Sequence, residues 1–420
     1  MTTSDPSSDF SIDSATRDFR SVAGDTWARY RSGDLGSLPA ILAIIALVVV
    51  FGLSRPDTFL SALNFANFLS QSSAVIVIAM AVSFVLLLGE IDLAAGFTAG
   101  IAAAVLATRL EEQWSLPAAA LASAIVAVLL GTFTGYMVAR VGIPSFVVTL
   151  ANFLSFQGIL LLLVKEGGSV RIDDDLVRGL DGANLSPTGS WLFTAGALVL
   201  FAASLIRRQR RSRGAIPMSI VVVKLVAAVV GAVLVTIVLN QNRAFPNAPE
   251  PIEGTPYVVP LVMALVLVLT FVLNRTRFGR HLYAVGGNPE AARRAGINVP
   301  RIRLAAFAIG GLIAGLGGAF LASRVNSVDS NTGANDTLLL AVGAAVIGGT
   351  SLFGGKGRMV NAVLGGLVLA LIPNGLGLLG KSQIVGREVD FSSSGVKFIV
   401  AGLALLLAAS VDALSRKRAA

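Results

Sequence analysis

The segment AVSFVLLLGEIDLAAGFTAGIAAAVLA, residues 81–107, places Glu90 and Asp92 two residues apart inside a long apolar run. A carboxylate within a membrane-buried run is costly and demands a partner, water or a function. Gly89 and Gly96 bracket the two acids, and apolar stretches continue on both sides. This reads as a break between two helices, not as a charge midway along one. Asp92 then caps a helix starting at Leu93 by accepting backbone N–H bonds near its positive end. Glu90 faces water or a basic partner at the same break. A direct part in gating or solute passage stays open for both.

The pattern extends over the whole chain. Of its 420 residues, 55% are hydrophobic and only 14% charged, against about 25% charged in a soluble domain. Apolar runs recur that are long enough to cross a bilayer as helices. The reading is an all-α, polytopic integral membrane protein with about twelve spans (roughly 10 to 14). They lie near 38–54, 66–88, 92–109, 116–139, 144–164, 190–206, 217–239, 257–274, 303–323, 337–352, 359–380 and 395–413. Broken or half-spanning helices are expected near 89–96 and 348–357. Residues 1–37 form an N-terminal segment, 38–413 the membrane domain and 414–420 a basic tail. DFSIDSATRDFRSVAGDTWARYR, 9–31, reads either as an amphipathic helix lying on the membrane or as a disordered tail.

Placing both termini in the cytoplasm puts 22 of the 33 Lys and Arg inside and nine outside, as the positive-inside rule demands. The net charge of +9 therefore reads as membrane topology and not as nucleic-acid binding. The chain has no cysteine and one histidine, His281. That excludes disulfides, thiol catalysis and Cys- or His-cluster metal sites. GLGLLGKS, 375–382, matches a phosphate-loop pattern letter for letter, but such loops need a strand before and a helix after. Here the preceding NAVLGGLVLALIPN is a membrane segment, so nucleotide binding is rejected. Lys381 reads as an interfacial lysine reaching toward headgroups.

The longest internal cytoplasmic segment, 275–302, contains NPEAARRAGINV. Asn288 and Pro289 make a helix start, Glu290 suits its positive end, and Gly296 is placed to end it. The sequence thus draws a short exposed helix of Pro289, Glu290, Ala291, Ala292, Arg293 and Arg294. It is a docking element or, on charge alone, a basic connector on anionic lipid. Gly89-x-x-x-Leu93-x-x-Gly96 and Gly348-x-x-x-Leu352-x-x-Gly355 also share a spacing, and Gly349 lies in the second. An internal repeat and coincidence both fit, and the span count puts both breaks on the cytoplasmic side.

Glu290-Ala291-Ala292, three residues, then Gly296 resembles the EAA–xxx–G arrangement of permease subunits of ABC importers. FGRHLYAVGGNPEAARRAGINV, AAVIGGTSLFGGKG (344–357), Asn374-Gly375-Leu376, GEIDLAAG and GIPSFVVTLAN (142–152) resemble motifs of ribose/xylose-type sugar permeases, in the same order. The extra spans near 190–239 and Glu90 resemble the xylose branch most. The resemblance runs from about 60 to 410. It implies a monosaccharide permease subunit whose helix 289–296 couples to a separate ATP-binding subunit. It also implies an extracytoplasmic sugar-binding protein, a permease homodimer and a place in the bacterial cytoplasmic (inner) membrane. No cofactor is bound by the chain, ATP acting through the partner subunits. Asn152, Gln157 and Asn374, polar in apolar segments, are candidates for the translocation path. A different class, an ion-coupled transporter using Glu90 and Asp92, is the alternative. No nucleophile–base pair suggests an enzyme.

Overall fold

The computed structural model describes residues 36–165, 167–211, 218–245, 247–384 and 387–419. The predicted amphipathic segment 9–31 lies outside them. All twelve predicted segments coincide with helices: α1 (Leu38–Ser54), α2 (Ala62–Leu86), α3 (Ala95–Glu111), α4 (Leu116–Tyr136), α5 (Ser145–Val164), α7 (Pro187–Arg211), α8 (Met218–Leu239), α9 (Val258–Arg275), α12 (Val299–Val325), α13 (Asn335–Ile347), α14 (Met359–Leu379) and α15 (Ser394–Ala419). Eight of them are long and apolar enough to cross a membrane, so the protein is a multi-pass, all-α membrane protein. Among the described residues, three further helices of six or more residues lie outside the predicted spans, α6 (Asp175–Gly182), α10 (Arg277–Gly287) and α11 (Pro289–Arg294), together with the single helical turn Pro56–Phe59.

α2 is the axis of the bundle. Its most apolar stretch is 83% buried, as expected of a helix hydrophobic on all sides. α12, α14 and α13 pack around it, and α12 also packs on α3 and α4. Small residues make these approaches close, as in other helix contacts within lipid. At the α4–α12 crossing, a Cβ on Gly311 would strike the Ala127 carbonyl and touch the Gly131 backbone. α7 and α8 pair with each other at the periphery. A buried hydrogen bond of 2.6 Å between the Thr194 and Thr236 hydroxyls joins them.

The polar loops are more structured than their composition suggests. Segment 164–190 contains α6 and the strand β1 (Ser169–Arg171), which pairs antiparallel with β2 (Ser327–Asp329). The buried Arg243 guanidinium pins the loop after α8, donating to the carbonyls of Leu239 and Gly254 and to Asn184 Oδ1. GLGLLGKS is the end of α14 running into a hairpin of β3 (Lys381–Ile384) and β4 (Arg387–Asp390). Lys381 pairs with Glu388 across it at 3.1 Å, so its ammonium is held by a carboxylate. The strand–loop–helix context of a phosphate loop is not there. α15 runs on through the segment read as a basic tail.

Candidate coupling junction

Three separated sequence motifs meet at one end of the bundle. The break after α2 turns at Gly89, whose φ of +77° suits glycine. The break between α13 and α14 lies beside it, and the Gly355 N–H donates to the Leu87 carbonyl at 2.9 Å. α10 closes the third side. Its Gly286 is buried so tightly that a Cβ would collide with the Leu87 carbonyl and crowd the Gly355 nitrogen. Tyr283, also on α10, donates its hydroxyl to the Gly357 carbonyl at 2.8 Å. The two breaks thus share one end of the molecule, as the span count expects.

A break within a membrane protein exposes backbone groups, each costing several kcal/mol if left unsatisfied. Here several of them are satisfied. Gly89 N–H donates to Leu86 O and Glu90 N–H to Val85 O. Ile91 is held from both sides by α5: its N–H donates to Ser145 Oγ at 3.2 Å, and its carbonyl accepts from Thr149 Oγ1 at 3.2 Å. The motif GIPSFVVTLAN therefore braces the motif GEIDLAAG. That pairing spans more than fifty residues and leaves no local signal in the sequence.

The two acids have separate roles. Asp92 is buried, 8% exposed, and its Oδ1 accepts the Ala94 N–H at 2.9 Å. It holds the turn before α3 but does not cap the helix as expected: α3 begins at Ala95, two residues later than predicted, with Ala94 as its N-cap and no side-chain cap bond. Asp92→Asn keeps that acceptor oxygen, so the variant is expected to retain its fold and transport. Asp92→Ala removes it, leaving the buried Ala94 N–H unpaired, and should cost about 1 kcal/mol or more, read as a lower thermal midpoint in detergent. Glu90 finds a basic partner, Arg303 near the start of α12, at 3.1 Å.

α11 has the ends drawn from the sequence. Asn288 Oδ1 accepts the Ala291 N–H at 2.9 Å, Pro289 opens the helix and Glu290 lies in its first turn. Arg293 and Arg294 fill the last turn. Gly296, at φ +81°, ends it with its N–H on Arg293 O. Ala292 alone of these is buried, anchoring the helix. Glu290, Ala291, Arg293, Arg294 and Gly296 are exposed, and Glu290 pairs with Arg293 at 3.0 Å. α11 is thus an exposed, capped helix that packs on α10, whose Gly286 and Tyr283 enter the junction of both breaks, and on the start of α12.

The remaining glycines serve packing. Gly96 lies against the Gly333 carbonyl and Gly348 against the Asn361 carbonyl, so neither has room for a side chain. Gly349, like Gly355, has positive φ. The path candidates are not brought together. Asn152 donates to Thr134 Oγ1 at 2.8 Å, tying α5 to α4. Gln157 lies half-buried on the same helix. Asn374, on α14, exchanges two amide hydrogen bonds with Asn64 on α2, at 2.9 and 3.2 Å. That pair borders a mainly apolar cavity of about 470 Å³ between α1, α2, α8 and α14. Among the described residues, no group of three or more His, Cys, Asp or Glu is placed to hold a metal ion.

Residues 64–409 match the family described as "Branched-chain amino acid transport system / permease component". The chain is 35% identical over 383 residues to the xylose transport system permease protein XylH of Escherichia coli K12, covering 90% of this chain and 92% of that one. Against XylH of Haemophilus influenzae the identity is 30%, covering 90% and 96%. Against the ribose import permease protein RbsC of Escherichia coli K12 it is 28%, covering 89% and 92%. No solved structure matches.

Proposed function

Because the chain belongs to this family of transport-system permease components, we propose that it is the membrane subunit of an ATP-driven importer of a monosaccharide such as xylose or ribose. It is a permease and not itself an ATPase. The sugar class follows from the printed names of its relatives, the xylose and ribose permeases. The observation that carries the coupling is α11: exposed, capped at both ends and packed on α10, whose Gly286 and Tyr283 sit in the junction of the two helix breaks.

In this reading α11 fits a cleft of a separate ATP-binding subunit, and two permease copies face two such subunits. ATP binding moves α11, the junction follows, and the bundle opens outward to take sugar from an extracytoplasmic binding protein. ATP is the partner's ligand. The junction then faces the cytoplasm, with both termini on that side of the bacterial inner membrane. An ion-coupled reading loses support from the geometry, because Glu90 is engaged by Arg303 and Asp92 by a backbone N–H. The test is co-purification. Tagged wild-type chain should retain a co-expressed ATP-binding subunit of a sugar importer, and Glu290→Lys should lose it. Retention of that subunit by the variant, or its absence from the wild-type preparation, would overturn the assignment of α11.

A further inference from the structure

α12 carries an arginine in an ion pair at each end. Near its start, Arg303 Nη2 lies 3.1 Å from Glu90 Oε1 in the first break. Near its end, Arg324 Nη1 lies 3.2 Å from Asp181 Oδ2 on α6. The 21-residue separation is about 32 Å along a helix, about the thickness of a bilayer's hydrocarbon core. The two pairs therefore sit at opposite faces of the bundle. Both carboxylates are well shielded, with Glu90 14% and Asp181 10% exposed.

The outer pair is built into a wider contact. The Asp181 N–H donates to Ser323 Oγ at 2.9 Å, and that hydroxyl donates to the Arg178 carbonyl at 3.3 Å. α6 thus grips α12 through two consecutive residues, Ser323 and Arg324. At the other end, α12 starts at Val299, three residues after Gly296 closes α11. Asn298 caps it, accepting the Arg301 N–H at 3.1 Å. Little slack separates the exposed α11 from the long helix.

We propose that α12 is a transmission strut with an ion-pair latch at each end, Glu90–Arg303 holding the break between α2 and α3, and Asp181–Arg324 holding α6 at the opposite face. This rests on the proposed function, since α11 must be driven for the strut to move. A packed helix moves by rigid shift or tilt and not by stretching. A displacement at Arg303 therefore changes the geometry at Arg324 as well. Shielded pairs suit this use, because separating one leaves a charge poorly compensated, so each arrangement is held until the other latch yields. Arg303 and Arg324 are positioning residues; neither is assigned a contact with sugar or nucleotide.

The test uses this chain reconstituted with its ATP-binding and sugar-binding subunits. Uptake of labelled xylose and ribose is measured together with ATP hydrolysis. Arg303→Glu and Asp181→Arg should each lower sugar taken up per ATP by about tenfold, within the coupling range of contacting residues. The double reversals Glu90→Arg/Arg303→Glu and Asp181→Arg/Arg324→Asp should recover most of that loss. If the reversals fail to insert, Glu90→Gln and Asp181→Asn decide, and each should lower the same ratio. A wild-type ratio in the single reversals or in the neutral variants would overturn the proposal, as would double reversals no better than singles. Failure of the wild-type complex to transport on ATP is a different result, seen before any variant is made, and it overturns the importer reading itself.

Discussion

Replacing Gly296 with proline is expected to lower sugar uptake by about a hundredfold while the chain still inserts, the local cost being roughly 3 kcal/mol. Two features of the site combine. Gly296 has φ +81°, whereas proline is locked near −65°. Its N–H donates to Arg293 O at 3.0 Å, and proline has none to give. The last turn of α11 must therefore unwind or re-aim. Gly296 is exposed and touches no other element within reach of a Cβ, so the bundle itself should stand. The diagnostic result is a split: normal amounts of protein in the membrane, ATP hydrolysis by the partner, and no sugar movement. Uptake at the wild-type rate would show that the shape of this helix end is irrelevant to coupling.

Gly286→Val should have the second largest effect, and on folding as well as on transport. The new side chain would be driven into the Leu87 carbonyl and the Gly355 nitrogen, the two atoms that bond the breaks to each other. Overpacking of this kind costs about 3 kcal/mol, enough to lower the thermal midpoint clearly and to reduce the amount of protein in the membrane. Gly287→Ala is the matched control. That position is exposed, with open space around its Cβ, so the change should stay within about 0.5 kcal/mol. Equal behaviour of the two variants would argue against a tight junction at residue 286.

Much of this was legible in the sequence. Apolar runs located twelve helices, eight of them long and apolar enough to cross a membrane, because length and hydropathy alone select a membrane helix. The ends of α11 were also readable, since Asn288, Pro289 and Gly296 act within a single turn. α10 was missed. RFGRHLYAVGG mixes charge and glycine, and its helix is held by tertiary burial of Leu282 and Val285. Thr276, which caps it by accepting the Gly279 N–H, was the available signal. The β1–β2 pairing and the Arg243 clamp were hidden because each joins distant loops.

Site residues followed the same division. That Asp92 binds a nearby backbone N–H could be inferred locally, although it holds the turn before the helix and not the helix end itself, whereas Arg303 as the partner of Glu90 could not, because more than two hundred residues separate them. Asn152 and Asn374 stood out as polar residues in apolar helices. Hydrogen bonds to Thr134 and Asn64 now account for them without invoking a sugar. Sequence reveals that a polar group needs a partner, and only packing reveals which one.

The most direct test of the central claim is uptake of labelled xylose and ribose into proteoliposomes holding this chain with its ATP-binding and sugar-binding subunits. ATP is supplied to the ATPase side, with proton and sodium gradients collapsed by ionophores. Uptake of at least one of the two sugars should persist without gradients and stop when ATP is removed. Uptake that ignores ATP and vanishes with the gradients would contradict the account.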